Sequence, residues 1–165
     1  MGSGMNFRCK NCGNKYSAWY GIGMLFPTEY DEVLRKVKKG KYGKELQEKA
    51  LNTPFVAVDA EKYVYTCRKC GAWKCEEGLS LYAPNDIEKF KTIKIGDKTV
   101  GELGEGPCVF GPYFDDYHIV KHYVHKCDKC GSSMQKASEE EIENLPCPKC
   151  GGEAEEDFSG IILWD

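Results

Sequence analysis

The sequence has no apolar run long enough to cross a bilayer and no secretory signal at its start. We therefore expect a cytoplasmic protein with no membrane partner. It also lacks a phosphate-binding loop, because the glycine-rich segment 101–106 carries two acids and has no Gly-Lys-Ser/Thr ending. It has only three histidines, and no nucleophile and base stand in a recognisable arrangement. We expect no intrinsic catalysis.

Excess charge of one sign is also missing, since the formal net charge is -3. That value argues against a dedicated nucleic-acid binder, although the distribution is uneven. Residues 35–49 contain seven basic and two acidic side chains, whereas 138–157 contain eight acids and one lysine. Such runs are more often solvated faces than binding sites, but the two ends could also attract each other or recruit different partners.

Cysteine is abundant: ten occur in 165 residues. Eight of them form four copies of Cys-x-x-Cys-Gly, a turn that we call a knuckle, numbered 1 to 4 along the chain. In a reducing compartment clustered cysteines bind metal more often than they form disulfides. A knuckle points two sulfurs at one centre, and four thiolates close a tetrahedral site. The ligands predicted are Cys9 and Cys12, Cys67 and Cys70, Cys127 and Cys130, and Cys147 and Cys150.

Four knuckles can be paired in three ways. Only sixteen residues separate Cys130 from Cys147, so closing that loop costs the least entropy. This reasoning predicts one site from Cys127, Cys130, Cys147 and Cys150. The other site then contains Cys9, Cys12, Cys67 and Cys70, across an interval of fifty-four residues that implies an inserted subdomain.

The C-terminal knuckles, within 127–131 and 145–152, resemble those of zinc ribbons and rubredoxin-like domains. The resemblance covers roughly the last forty residues and implies a four-cysteine metal site. A rubredoxin-like electron carrier would normally have an aromatic residue after its first knuckle, whereas Ser132-Ser133-Met134 stands here. We therefore expect two structural Zn²⁺ ions rather than iron.

Local patterns predict an α+β fold of small metal-stabilised units with short antiparallel strands. A helical insertion is expected at about 28–51, where apolar residues recur at helical spacing up to Gly40 and again after Lys44. A hairpin is expected at 92–100, with Gly96 in its turn, and a short acidic helix is expected to begin at Ser138.

The expected domains are a zinc-ribbon-like domain at 5–100, a Gly/Pro-rich linker or loop at 101–112 and a C-terminal zinc ribbon at 113–165. The first four residues look like an addition to the natural start, so Met5 is taken as the beginning. The last strands are expected at 117–125 and 160–164.

Two cysteines and the histidines remain outside the knuckles. Cys75 and Cys108 could complete a third metal site with His118 and His122, which share one face of an extended strand, whereas His125 points to the other face. The simpler interpretation makes both cysteines small buried side chains and the histidines ordinary strand residues.

Closed metal sites and separated charges favour an interaction module with a protein partner, acting as a small accessory or regulatory protein. Two alternatives stay open. One is nucleic-acid binding through the basic segment 35–49, and the other is a redox protein or metalloenzyme that uses Cys75, Cys108 and the histidines of 118–125.

Overall fold

A computed structural model describes residues 2–157 and confirms the α+β class. The strand expected at 160–164 lies outside the described residues. The strands are β1 Ser3–Cys9, β2 Lys15–Tyr20, β3 Ala57–Val58, β4 Lys62–Thr66, β5 Trp73–Glu77, β6 Leu81–Pro84, β7 Lys94–Ile95, β8 Lys98–Thr99, β9 Tyr117–Lys121, β10 Gln135–Lys136 and β11 Ala154–Glu156. The helices are α1 Phe26–Lys38, α2 Lys44–Asn52, α3 Ile87–Lys91, α4 Val100–Leu103 and α5 Glu139–Glu143, with a 3₁₀ helix at Gly111–Asp116.

The chain divides into two compact units, each built from separate segments. The ribbon unit contains residues 2–25, 61–77 and 124–157, and the helical unit contains 26–60 and 78–123. This division cuts across the expected boundaries at 100 and 113. The insertion is larger than predicted, since it includes a second segment between knuckles 2 and 3, and β1 begins at Ser3 rather than after Met5.

The ribbon unit holds two three-stranded antiparallel sheets of the same design. In each, the central strand runs into a knuckle, and the strand after that knuckle returns beside it as a hairpin. The third strand follows a different knuckle, which gives the orders β11-β1-β2 and β10-β4-β5. Strand β1 therefore joins the two ends of the described chain, with Phe7 paired to Tyr16 on one side and Glu156 on the other.

One hydrophobic core serves both sheets. It contains Phe7 and Ala18 from the first sheet, Val64 from the second, and Ile142 and Leu145 from α5 and the residues after it. Helix α5 begins at the predicted position, where Ser138 and Glu141 form a reciprocal capping box. Because the core residues come from both sheets, neither sheet buries its apolar face alone.

The helical unit contains the predicted insertion. Tyr30, Val33 and Val37 form the buried stripe of α1, which is followed by Gly40 at φ 80°, a left-handed conformation that glycine adopts without strain. Helix α2 buries Leu46 and Ala50 and leaves Leu51 61% exposed. The amphipathic spacing therefore predicted both helices well.

The second segment of the helical unit supplies β6 and β9, which form a sheet with β3 of the first segment in the order β3-β6-β9. It also contains the hairpin β7–β8, whose turn has Gly96 at φ 62°. The expected linker at 101–112 is instead part of this unit and contains most of α4 and the start of the 3₁₀ helix. Strand β9 ends at Lys121, four residues earlier than predicted. Among residues 2–157, no helix has the length and apolar character needed to span a membrane.

Candidate metal centres

The four knuckles share one backbone geometry. In each, the glycine N–H donates to the carbonyl of the first cysteine, at 2.8 to 3.0 Å. The first cysteine in turn donates its N–H to the carbonyl two residues after the second cysteine, at 2.8 to 2.9 Å. The glycines have φ between 68° and 71°, where an L side chain is strained. They are Gly13, Gly71, Gly131 and Gly151.

Burial also repeats from knuckle to knuckle. The first cysteine is buried every time, with 2 to 3% of its surface exposed, and the second lies at or near the surface. Each turn thus directs one sulfur from the inside and one from the outside toward the same point. This is the arrangement expected of a two-ligand half-site.

The structure brings the half-sites together in a nested order. Cys9 and Cys12 meet Cys147 and Cys150, which we call the outer centre, while Cys67 and Cys70 meet Cys127 and Cys130, the inner centre. The pairing predicted from loop length is therefore wrong, although the eight cysteines are the predicted ones. The physical reason lies in the sheets, because β11 pairs with β1 and β10 pairs with β4, which carries each late knuckle to an early one.

The sulfur spacing suits a metal ion. Across the outer centre the Sγ atoms of Cys9 and Cys150 are 3.5 Å apart and those of Cys12 and Cys147 are 3.8 Å apart. Both such pairs in the inner centre are 3.5 Å apart. A disulfide needs about 2.05 Å, whereas a tetrahedron with metal–sulfur bonds of about 2.3 Å has edges of about 3.8 Å. Either group of four could therefore hold one metal ion.

Protonation gives a second reason for a cation. Burial opposes ionisation of Cys147, but the backbone N–H groups of Cys150 and Lys149 outweigh it and lower its pKa to about 6. In the inner centre the hydroxyl and N–H of Ser132 lower the pKa of Cys130 to about 6. The pKa of Cys150 is instead raised, to about 12. The N–H of Gly152 lowers it, but the sulfurs of Cys9 and Cys12 have a larger effect and raise it. Four sulfurs this close ionise together only around a positive charge.

Contacts around the sulfurs support the outer pairing. The Asn14 side chain, after knuckle 1, points its amide at the Sγ of Cys147, 3.7 Å away. Gly152, after knuckle 4, lies so close to Asn11 that a Cβ there would be 2.4 Å from the Asn11 amide nitrogen. The residues at the same position of knuckles 2 and 3 are Ala72 and Ser132, so glycine is needed only where Asn11 approaches.

Two aromatic donors hold the segment that leads into knuckle 4. The Tyr16 hydroxyl donates to the carbonyl of Leu145 at 2.7 Å, and the Trp73 indole N–H donates to the carbonyl of Pro146 at 2.8 Å. Tyr16 belongs to the first sheet and Trp73 to the second, and their rings lie 5.7 Å apart. Trp73, which follows knuckle 2 of the inner centre, thus helps to position knuckle 4 of the outer centre.

These two positioning residues were missed from the sequence. Their only signal in the sequence is that each aromatic residue lies within four positions of its knuckle. The carbonyls that they satisfy lie more than seventy residues away along the chain, so local patterns could not have found the pairs.

The residues outside the knuckles do not assemble into a third cluster. Within 2–157, no further group of three cysteine, histidine or acidic side chains comes within ligand distance. Cys75 belongs to the ribbon unit, whereas Cys108, His118 and His122 belong to the helical unit. The remaining histidine, His125, is buried, stacks on Tyr65 and has its Nε2 2.9 Å from the carbonyl of Glu77.

Comparison with protein-family models, with curated proteins and with solved structures found no match to this chain. The assignments that follow therefore depend on its own residues.

Replacing Gly152 with alanine should weaken the outer centre, because the new Cβ would push Asn11 and knuckle 1 away from knuckle 4. We expect metal affinity to fall by about tenfold, as for a moderate steric clash. Native mass spectrometry during chelator titration should show a larger one-metal population than in the wild type. The double variant Gly152→Ala/Asn11→Ala should restore the two-metal form. If Asn11→Ala gives no rescue, the nested pairing is contradicted.

Tyr16→Phe should lower the free energy of unfolding by about 1 kcal/mol, since it removes one donor from a carbonyl beside knuckle 4. Trp73→Phe should lower it further, because it removes the indole donor and also part of a ring packed against the shared core. Urea denaturation of the metal-loaded chain measures this. Tyr113→Phe is the matched control, because Tyr113 is 65% exposed and should tolerate loss of its hydroxyl. Equal stability of the Tyr16 and Tyr113 variants would argue against the positioning role.

Proposed function

We propose that this protein is an interaction module, built on two structural zinc sites, that serves a protein partner as a small accessory or regulatory factor. The observation that supports it most is the completeness of both four-sulfur groups. A four-cysteine site leaves no open coordination position for a substrate or an activated water, so the metal would act as a cross-link within the fold.

Zinc suits these groups on chemical grounds. It has no redox chemistry and takes tetrahedral thiolate sets readily, so it stabilises a fold without adding a reactive centre. The cysteines would hold it as thiolates, while the knuckle N–H groups and the amide of Asn14 would stabilise their charge. Closing the nested loops would convert metal affinity into folding free energy.

Elemental analysis should find two zinc ions per chain, and Cys9→Ser should remove one of them, with loss of stability. On the same sample, Cys75 and Cys108 should react slowly with iodoacetamide at pH 7. Burial raises the pKa of both thiols, that of Cys108 to about 11, so little thiolate is present. Iron in place of zinc, or rapid modification of either thiol, would instead favour the redox alternative.

Partner capture tests the function itself. The tagged, zinc-loaded chain should retain a defined protein from extract at near-stoichiometric amounts, while a Cys67→Ser/Cys127→Ser chain, which cannot complete the inner centre, should not. The exposed variant Lys94→Glu should behave as the wild type, which controls for surface charge. Identical retention by all three chains would count against an interaction module.

The nucleic-acid alternative depends on the basic segment 35–49. One of its cations is already engaged, since Lys36 pairs with Glu32. Glu45, an acid of the segment, pairs with Lys121 outside it rather than with a lysine of the segment. Binding of a nucleic acid would therefore depend on the basic side chains of this segment that are not in ion pairs.

A further inference from the structure

A groove follows the exposed side of α1 in the helical unit. It consists of two adjoining depressions, of about 300 and 510 Å³. Four residues line both depressions, so the two form one continuous surface: Asp31, Leu34, Lys38 and Glu105. Neither metal centre contributes to this groove, and the interpretation of the knuckles leaves it unexplained.

The smaller depression has an apolar floor. Leu34, Leu51 and Phe55 line it, and Leu51 is 61% exposed although its neighbour Ala50 supplies the buried contact of α2. Phe55 has φ 50°, a left-handed conformation that costs a non-glycine residue of order 1 kcal/mol. Covering the exposed Leu51 and the neighbouring Phe55 would remove apolar surface from water, which favours binding of a ligand there.

The larger depression has a basic rim made of Arg35, Lys38 and Lys39. In the part of the chain that the structure describes, none of these three forms an ion pair, unlike Lys36 with Glu32 at 2.7 Å. The C-terminal end of α1 attracts cations through its dipole but leaves their charged ends available to a ligand. The groove therefore offers an apolar pocket next to three available positive charges.

The acids in the groove distinguish a peptide from a nucleic acid. Asp31 and Glu105 line both depressions and accept hydrogen bonds only. A phosphate backbone brings acceptors and negative charge to them, whereas a peptide brings backbone N–H donors. Single-stranded nucleic acids also need exposed aromatic platforms for their bases, and Phe55 is the sole half-buried aromatic side chain that lines the described groove.

We propose that this groove binds an acidic peptide segment of a protein partner. An apolar side chain of the segment would lie against Leu34, Leu51 and Phe55, and its carboxylates would face Arg35, Lys38 and Lys39. This inference rests on the proposed function as an interaction module and adds to it the binding surface and the chemistry of the partner.

The test begins with a displayed library of random twelve-residue peptides, selected on the full-length, zinc-loaded chain. Enriched peptides are then labelled and titrated by fluorescence anisotropy. The test variants are Lys38→Glu/Lys39→Glu, which reverses the rim, and Leu51→Ser, which removes an exposed apolar side chain at no cost to the core. The matched control is Lys94→Glu/Lys98→Glu, the same charge change on exposed lysines of β7 and β8 in the same unit.

We expect enriched peptides to combine Asp or Glu with a neighbouring large apolar residue. The rim reversal should weaken their binding by at least about tenfold, and the control by less than about twofold. Absence of enrichment, or equal binding to wild type and rim-reversed chain, would overturn the proposal. Tight binding of an oligouridine probe that falls steeply with salt and is lost in the rim variant would overturn it in favour of nucleic acid.

Zinc content measured on every sample separates this inference from the proposed function. If the chain holds two zinc ions but enriches no peptide, the proposed function stands and the groove is not its binding surface. A chain that binds peptide without zinc retains the groove and shows that the groove does not need the metal, so the structural role of zinc is then judged from stability alone.

Discussion

The fold of the ribbon unit depends on four sulfurs meeting at each of two points. In each centre the closest sulfurs of different knuckles are 3.5 to 3.8 Å apart, a distance at which thiolates repel each other unless a cation lies between them. The shared core around Phe7 and Leu145 packs beside these sulfurs but carries no charge that could offset such repulsion. A bound metal would replace the repulsion between thiolates with attraction between the cation and each thiolate.

The nesting of the centres determines how the rest of the chain is arranged. The outer centre joins positions 135 residues apart, and the inner centre joins positions 57 apart within that interval. Once the inner centre is closed, the chain between the outer knuckles is effectively shortened, and Trp73 is in place to hold the carbonyl before knuckle 4. The helical unit is inserted as two segments and contributes none of the eight clustered cysteines. A long insertion is therefore compatible with two small four-cysteine groups.

The sequence predicted what is local and failed where the answer depends on sheet pairing. The clustering of the eight cysteines, both long helices of the insertion and the Ser138 capping box follow from short patterns and are present. The knuckle pairing was judged from loop entropy alone, and a loop of 134 residues costs only about 2 kcal/mol more to close than one of 16. Two strand pairings can offset that difference, whereas the energy of metal binding would be gained in either pairing. The division into two compact units depends on the same long-range pairings, which local patterns do not carry.

Charge is used differently in the two units, and this bears on where a partner would bind. A divalent cation held by four thiolates would leave a doubly negative centre. Each knuckle carries an exposed lysine that would offset part of that charge: Lys10, Lys69, Lys129 and Lys149. With metal bound, those lysines would have an electrostatic role within the ribbon unit before any partner binds. Arg35, Lys38 and Lys39 of the helical unit have no such centre to neutralise, and the two acids that line the same depression, Asp31 and Glu105, leave an excess of one positive charge. We therefore expect the ribbons to supply stability and the groove along α1 to supply recognition.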